Sequence, residues 1–286
     1  PPITRPRGVR RDSRVQGDVM TFSYNTLLIE RPRPEIVVAR LNRPDRLNAI
    51  TFEMFDEFLE LQREVDADEA ARVLVITGSG RAFCAGLDLD QAATLPQMAP
   101  AVMLEGQETW ARSIAGFRHM DKPVIAAVNG PAAGAGMGIA LAADIRLAST
   151  SAKFNAAFIR IGLTGGDVGT SWLLPRLIGL GRAYEMLLTG RFVEADEALR
   201  IGLVTEVTSN EELLERALAV AELICGNSPF GVRMTKRVVQ TNVDAPSLDA
   251  AIDLENRNQV LAVQTQDMTE ALTAFREKRA PNFVGH

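Results

Sequence analysis

Residues 124–138 read VIAAVNGPAAGAGMG, and this stretch decides the fold. The apolar run at 124–128 predicts a buried strand, and the glycines after it predict a tight turn that opens a buried helix over residues 136–142. No charged residue occurs from 123 to 143, and the glycines follow the GxxxG spacing of packed membrane helices. Because the Asn-Gly-Pro at 129–131 interrupts the run, we interpret it as strand, turn and helix, and not as a membrane span.

The glycine-rich turn is also a candidate anion-binding site. A turn of very small residues before a helix leaves unpaired backbone N–H groups at the positive end of the helix dipole, where a phosphate or an oxyanion can bind. A dinucleotide fingerprint starting at Gly134 is incomplete, since its last glycine position is Ile139 and no acid follows about twenty residues on. Close packing of helix on sheet is the other explanation of the small residues, and the turn alone leaves both open.

Composition narrows the classes of function. The chain has 286 residues, of which 47% are hydrophobic and 23% charged, with a formal net charge of −5. Such a chain can bury a large core, and its acidity argues against nucleic-acid binding, which needs clustered positive charge. Only two cysteines, Cys84 and Cys225, argue against a disulfide scaffold and suit a reducing compartment, so we expect a cytoplasmic protein.

The chain divides into three parts. Residues 1–20 are rich in arginine and proline without an apolar segment, and we interpret them as a flexible arm and not a secretory signal. Residues 21–207 predict a mixed α/β core whose strands alternate with helices, which favours parallel pairing. Residues 208–286 predict a region of helices. The predicted strands are 25–30, 36–41, 73–77, 124–128 and 145–148; the predicted helices are 51–65, 102–117, 136–142, 170–178, 182–188, 211–225, 230–240, 247–263 and 268–278.

A second small-residue turn lies at 81–89, RAFCAGLDL, and with the first it completes a family pattern. The chain resembles the crotonase, or enoyl-CoA hydratase/isomerase, family from about Tyr24 to its end. Further blocks of the resemblance are LNRP at 41–44 with Asn48-Ala49, AADIR at 142–146, LTGR at 188–191, GLV at 202–204, and 275–283.

The resemblance implies an α/β fold, a spiral of ββα turns followed by a C-terminal helical trimerisation region. It implies a lyase or isomerase of fatty acid metabolism that acts on an acyl-CoA thioester. Coenzyme A would be part of the substrate, so we expect no separate cofactor and no metal. The expected assembly is a homotrimer or a dimer of trimers.

Members of this family hold the thioester oxygen between two backbone N–H groups, which stabilise the enolate anion. By motif match these donors are Leu87 and Ala135, and preorganised donors of this kind contribute roughly 3–4 kcal/mol each. The neighbouring glycines allow the backbone to approach the substrate closely. The matched substrate-contacting positions of these blocks are Ala49, Ala85, Gly86, Gly134 and Gly136.

The chain departs from the hydratases of the family at two positions. Hydratases use two glutamates, and the matching positions here are Gly138 and Phe158, neither of which can move a proton. Both are therefore expected in the substrate site as wall residues only. Ordinary two-glutamate hydration is in doubt.

One acid remains nearby, Asp167 in the sequence GGDVGTS at 165–171. Dienoyl-CoA isomerases and the chlorobenzoyl-CoA dehalogenase of this family carry a functional aspartate in a similar D-x-x-T motif. The dehalogenase histidine would fall at Ala111, so that machinery is incomplete. Asp167 is our candidate proton carrier, and the alternative is an Asx turn or a cap on the following helix.

Three functions follow from these residues. The first is an enoyl-CoA hydratase/isomerase-type enzyme acting through an enolate, with double-bond migration as the reaction that needs only one proton carrier. The second is a carrier or regulator that binds acyl-CoA without catalysis. The third is a dehalogenase- or thioesterase-like enzyme that uses Asp167.

Cations are needed where an acidic protein meets the CoA phosphates. Arg46 and Arg81 lie in blocks whose loops touch CoA in the family, and Phe275 and Lys278 match tail residues that reach the nucleotide of a neighbouring subunit. A lysine frequent three residues after Leu87 is Asp90 here. We expect packing roles for Cys84, a capping role for Asp88, and an ion pair between Asp144 and a neighbour such as Arg146.

Overall fold

A computed structural model describes residues 23–286, and the arm assigned to 1–20 lies outside the described residues. The main sheet has six strands in the order β1-β2-β3-β4-β6-β9, and a second sheet has three in the order β5-β7-β8. The strands are β1 (Leu27–Arg33), β2 (Ile36–Leu41), β3 (Val73–Gly78), β4 (Val124–Val128), β5 (Pro131–Ala133), β6 (Ile145–Ser149), β7 (Lys153–Asn155), β8 (Val193–Glu194) and β9 (Glu206–Thr208).

Parallel pairing dominates the main sheet, as the alternation of strands and helices predicts. Only β1 runs antiparallel to its neighbour β2, and the pairs β2–β3, β3–β4, β4–β6 and β6–β9 are all parallel. Every residue of β3 and β4 is buried. Near-continuous apolar strands of this kind are typical of a parallel sheet covered on both faces.

Eleven helices are assigned among the described residues. They are α1 (Phe52–Ala67), α2 (Leu89–Ala92), α3 (Pro100–His119), α4 (Ala135–Ala142), α5 (Thr170–Ile178), α6 (Leu180–Thr189), α7 (Ala195–Arg200), α8 (Leu213–Cys225), α9 (Pro229–Asn242), α10 (Leu248–Val263) and α11 (Gln266–Glu277). All nine predicted helices are present, with ends that differ by a few residues. The short strands β5, β7, β8 and β9 and the helices α2 and α7 were not predicted, because segments of two to six residues are too short to show a periodicity.

Helix α1 shows why the longer predictions hold. The Thr51 hydroxyl accepts a hydrogen bond from the N–H of Met54 at 3.1 Å and so caps the helix, a role for which threonine is among the preferred residues. Met54, Phe55, Phe58 and Leu61 are buried on one face. A capped helix with one apolar stripe is amphipathic in the way that its sequence spacing predicts.

The sequence RPRP at 31–34, between the predicted strands 25–30 and 36–41, predicts a turn, but the turn lies elsewhere. Strand β1 continues through Arg33, which pairs with Ile36, so the reversal falls on Pro34 and Glu35. Because β1 is an edge strand, Pro32 can stand in it without removing a hydrogen bond from the interior of the sheet. The proline therefore marks a strand edge and not the turn.

The two faces of the main sheet are covered by different parts of the chain. Side chains of β2 on one face, such as Val37, join the cluster of α1, α3 and α4. On the other face, Ile36 and Val38 pack against Leu213, Ala217 and Ala221 of α8. Helix α8 thus packs as part of the core. It does so although it lies in residues 208–286, which the sequence analysis separates from the α/β core.

The last helices are more exposed. No residue of α10 is buried, and Leu248 of α10 and Phe275 of α11 are 74% and 84% exposed. Helix α9 is tied to the core by Lys236, which donates a hydrogen bond to the carbonyl of Lys122 at 2.9 Å. Within residues 23–286, none of the helices has the length and apolar character needed to cross a membrane.

Candidate active site

The glycine-rich turn of residues 129–138 becomes a strand, a kink and a helix. Strand β5 pairs with β7 in the second sheet and ends at Ala133. Gly134 then adopts a φ of +52°, a conformation that side chains other than glycine rarely take, and Ala135 begins α4. The N–H of Gly134 donates to the carbonyl of Asn155 at 2.9 Å, which fixes the kink against β7.

The second turn, at residues 84–88, packs directly against the first. The N–H of Ala133 donates to the carbonyl of Cys84 at 2.9 Å. Gly86 has a φ of +91°, and a Cβ built on it would lie 2.9 Å from the carbonyl oxygen of Ala133 and 3.7 Å from the nitrogen of Ala135. A Cβ on Gly136 would lie 2.2 Å from the carbonyl oxygen of Cys84. Glycine is therefore required at both turns by the contact between them.

Two backbone N–H groups remain unused where the turns meet. Within residues 23–286, no acceptor is found for the N–H of Leu87 or for that of Ala135. Ala135 opens α4, so its N–H has no partner inside the helix and lies at the positive end of the dipole. Both residues line the same cavity.

This cavity has a volume of about 680 Å³ and is lined by twenty residues. Its wall is mostly apolar, and among residues 23–286 the only ionisable side chain that lines it is Asp167. The sequence-predicted residues that line it are Ala85, Gly86, Leu87, Gly134, Ala135, Phe158 and Asp167. Two turns, the loop before α5 and the segment 157–161 thus meet at one pocket, although they are far apart in the sequence.

Within the described residues, the hydrogen bonds to the Asp167 carboxylate all reach one of its two oxygens. Its Oδ1 accepts hydrogen bonds from Nε2 of Gln107 at 2.6 Å and from the N–H of Val168 at 2.7 Å. Burial raises the pKa of the carboxyl, and these two donors oppose the rise by stabilising its charged form. A carboxyl with a raised pKa inside an apolar cavity is suited to carry a proton.

The alternative of a helix cap does not match the geometry of Asp167. Helix α5 has Gly169 at its N-cap, and its first turn receives no hydrogen bond from a capping side chain. The motif threonine, Thr170, is tied to the backbone of Asp167: its hydroxyl accepts from the Asp167 N–H at 3.1 Å. The carboxylate is thus left for other contacts while the backbone holds the loop.

Apolar side chains surround the two positions at which the resemblance implies glutamates in hydratases. A Cβ built on Gly138 would lie 2.5 Å from Cγ2 of Val168, so Val168 occupies the space beside that glycine. The ring of Phe158 lies 3.4 Å from a Cβ built on Gly134. Val168 has a φ of +43°, an unusual conformation for a β-branched residue and one that costs of order 1–3 kcal/mol.

The other predicted residues lie outside the cavity wall of this chain. Gly136 and Gly138 are buried behind it, in α4. Ala49 is buried and its carbonyl accepts from the Arg43 guanidinium, while Arg46 forms an ion pair with Asp90 and Arg81 is exposed. Phe275 and Lys278 are exposed at the end of α11.

Gln107 and Trp110 line the cavity but were missed from the sequence. Both lie on α3, where the sequence EGQET at 105–109 is typical of a solvated face. Trp110 stacks between Phe52 and Phe55, with ring centroids 4.8 and 5.9 Å away, and gives the pocket an aromatic wall. The local sequence holds no signal for either role, since both depend on the distant loop of Asp167 and on α1.

The remaining candidates have structural surroundings. Burial raises the pKa of the Cys84 thiol to about 12, which suits packing and not nucleophilic attack. The Asp88 carboxylate accepts from the N–H of Asp90 at 3.0 Å, which confirms the expected cap. The expected ion pair of Asp144 is present with a different partner: Asp144 pairs with Lys236 at 2.7 Å and not with Arg146, because α9 brings that lysine against the start of β6.

Comparison with known proteins identifies the class. A family model described as enoyl-CoA hydratase/isomerase matches residues 33–286. The chain therefore belongs to the enoyl-CoA hydratase/isomerase, or crotonase, family, and its mixed α/β core with C-terminal helices confirms the predicted fold.

Individual relatives agree with this assignment. The chain is 44% identical to a Mycobacterium tuberculosis protein named "Probable enoyl-CoA hydratase EchA12", over 92% of this chain and 94% of that one. It is 37% identical to 1,2-epoxyphenylacetyl-CoA isomerase of Escherichia coli, over 87% and 95%. The crystal structure of enoyl-CoA hydratase from Bacillus anthracis superimposes with a TM-score of 0.87 at 32% identity, covering 92% of this chain and 100% of the other.

Proposed function

We propose that the protein is an acyl-CoA isomerase that moves a carbon–carbon double bond next to the thioester. The observation that carries this proposal is the single ionisable group of the cavity wall, Asp167. Double-bond migration needs one group that removes a proton at one carbon and returns it at another. A two-acid reaction would need a second proton carrier, and this wall has none.

The two free N–H groups supply the electrophilic half of the reaction. The thioester oxygen would accept hydrogen bonds from the N–H groups of Leu87 and Ala135, which become stronger as negative charge develops on that oxygen. Donors that are fixed before the reaction stabilise such a charge by roughly 3–4 kcal/mol each in a site from which water is excluded. The apolar wall and the position of Ala135 at the start of α4 support this role.

The proton then moves in two steps. The Asp167 carboxylate removes a proton from C2 of a 3-enoyl-CoA, and the electron pair of that C–H bond delocalises onto the thioester oxygen as a dienolate. The protonated Asp167 returns the proton to C4, the double bond moves from C3–C4 to C2–C3, and the charge on oxygen is lost. Atoms and charge balance without any other reactant.

The apolar replacements argue against hydration by two glutamates. Val168 fills the space beside Gly138, and Phe158 forms a wall beside Gly134. Neither can hold or activate a water molecule. Several relatives are named as hydratases, so hydration is the competing reaction that the assay has to measure.

The test is turnover of a panel of CoA esters with double bonds at different positions, compared with binding of the same esters. We expect isomerisation of 3-enoyl esters, and we expect Asp167→Asn to lose roughly 10²–10⁴-fold in kcat while binding stays within a few-fold. Hydration of 2-enoyl esters that survives Asp167→Asn would overturn the proposal. Binding of every ester without turnover would instead identify a carrier.

The exposed helices support a further part of the proposal, an oligomer built on trimers. Helix α10 buries none of its residues, and Phe275 next to Lys278 is 84% exposed, as residues that complete a neighbour's CoA site would be in an isolated chain. We expect light scattering at micromolar concentration to give a multiple of three chains. A monomer would contradict it.

Both cysteines are free, which fits the reducing cytoplasm that we propose as the location.

A further inference from the structure

The inference concerns Gln107, a residue of α3 far from Asp167 in sequence. Its side-chain amide donates to Oδ1 of Asp167 at 2.6 Å, a short distance for a hydrogen bond between nitrogen and oxygen. A hydrogen bond to a charged group is stronger than one between neutral groups. Gln107 and Asp167 are both residues of the cavity wall, so this contact lies inside the pocket.

The two oxygens of the Asp167 carboxylate have different surroundings. Oδ1 accepts from both Gln107 and the N–H of Val168, whereas no donor to Oδ2 is found within residues 23–286. The carboxylate is therefore held by one oxygen, and the other oxygen is left to exchange a proton. Without Gln107, only the adjacent backbone N–H would restrain the side chain, and rotation could exchange the two oxygens.

We propose that Gln107 is a positioning residue that fixes Oδ1 of Asp167 and so assigns proton transfer to Oδ2. This inference rests on the proposed function, because it assumes that Asp167 carries the proton. It adds a residue from a different helix to the proton-transfer machinery. Nothing in the local sequence around Gln107 assigns it this role.

The electrical surroundings make the effect of Gln107 measurable. The pKa of Asp167 is raised by burial and lowered by its two hydrogen-bond donors, with no charged group among the causes. Every ionisable side chain of α1, α2, α3, α5 and α6, and Arg160 before the loop, lies outside the cavity wall; those of α3 are Glu105, Glu108, Arg112, Arg118 and His119. Removing the Gln107 amide should therefore change the titration of Asp167 without interference from a nearby charge.

The direction in which the pKa of Asp167 changes depends on which charge state of its carboxyl Gln107 stabilises. Its N–H favours the carboxylate, so losing it raises the pKa of Asp167. The first step needs the carboxylate, and kcat rises with pH as that form appears. In Gln107→Leu we expect this rising limb to move up by about one pH unit and kcat at its plateau to fall about tenfold, with KM within threefold.

Two variants and a control separate positioning from general damage. Gln107→Leu removes the donor at similar volume, and Gln107→Glu places a second carboxyl against Asp167 and should move the limb further upward. Glu108→Gln changes a charge on the adjacent exposed position of the same helix and should leave the pH profile unchanged. Thermal unfolding of each variant shows whether the fold is kept.

A measurement without turnover keeps the inference testable for an inactive protein. Titration of ¹³C-labelled aspartate carboxyls by NMR, with the Asp167 signal assigned from its absence in Asp167→Asn, reports the same pKa directly. An unchanged pKa and an unchanged pH profile in a folded Gln107→Leu would overturn the inference. Full turnover in Asp167→Asn would overturn the proposed function, which is a different result in a different variant.

Discussion

The two halves of the cavity are built in different ways. The half that we propose faces the thioester oxygen consists of backbone, the N–H groups of Leu87 and Ala135 on turns that glycines hold together. The other half consists of side chains: Asp167 with Gln107, and the apolar Val168 and Phe158. We expect the first half to keep the pattern of the family and the second to depart from it.

The difference shows what each kind of site requires. A backbone donor needs only the correct path of the chain, so an alanine at position 135 supplies the N–H as well as a glycine would. A proton carrier needs a particular side chain, and neither Gly138 nor Phe158 has one that can carry a proton. Oxyanion stabilisation can therefore persist while the acid–base chemistry beside it changes.

Of the changes compared here, the largest effect is expected from removing a donor in the backbone half of the cavity. Ala135→Pro removes one donor, and proline is tolerated at the first position of a helix, where its missing N–H has no partner to lose. We expect kcat/KM for the best CoA ester to fall roughly 10²–10³-fold. Steady-state kinetics measure this, with thermal unfolding to show that α4 still forms.

Ala135→Gly is the matched comparison, since it changes the same residue and keeps the N–H. It should lose far less activity than the proline variant. Equal losses in both variants would show that the side chain matters and that the donor does not.

A smaller effect tests the packing of the side-chain half. Gly138→Ala places a Cβ 2.5 Å from Cγ2 of Val168, and overpacking of this kind costs about 1–3 kcal/mol. Val168→Ala removes the clashing methyl and leaves its own Cβ at 3.6 Å, an ordinary contact. Urea unfolding should therefore show that the double variant is more stable than the sum of the two single changes by at least about 1 kcal/mol.

Gly181→Ala on α6 is the control for this cycle. It is a glycine in a helix with no atom within 4 Å of an added Cβ. It should gain up to about 1 kcal/mol from helix propensity alone. If the changes in unfolding free energy at 138 and 168 are additive, Val168 does not fill the space beside Gly138.

The smallest effect concerns Asp167 and pH. Its pKa is raised in the folded protein, so its contribution to stability is fully present at pH below its unfolded value and is lost as pH rises through the folded value. Asp167→Asn lacks this loss and should gain stability relative to the parent chain between pH 4 and 8. Because the carboxyl is partly exposed, the gain should stay below about 1 kcal/mol.

Urea unfolding of both proteins across that pH range measures the difference. A loss of about 1 kcal/mol at every pH in Asp167→Asn would indicate a cap or turn role instead. The comparison needs no substrate.

The sequence predicts the backbone half of the site better than the side-chain half. Glycines at 86 and 136 are informative because an added Cβ would meet backbone oxygen there, and Gly134 is informative because its φ of +52° disfavours other residues. The strand 124–128 is apolar because both sheet faces are covered. Gln107 could not be found, since its role depends on a loop about sixty residues away in sequence. The second sheet was missed for a similar reason: β5, β7 and β8 are two or three residues long and are defined by their partners.

The place of α8 has a consequence for synthesis of the chain. Strands β2 and β3 leave the ribosome early, but the helix that covers their Ile36, Val38, Val73 and Val75 side chains begins at Leu213. At a synthesis rate of about 5–20 residues per second, this apolar face stays exposed for on the order of ten seconds before α8 can cover it. A nascent chain that ends at residue 207 would expose the face permanently, so chaperone capture should be strongest for chains shorter than about 225 residues.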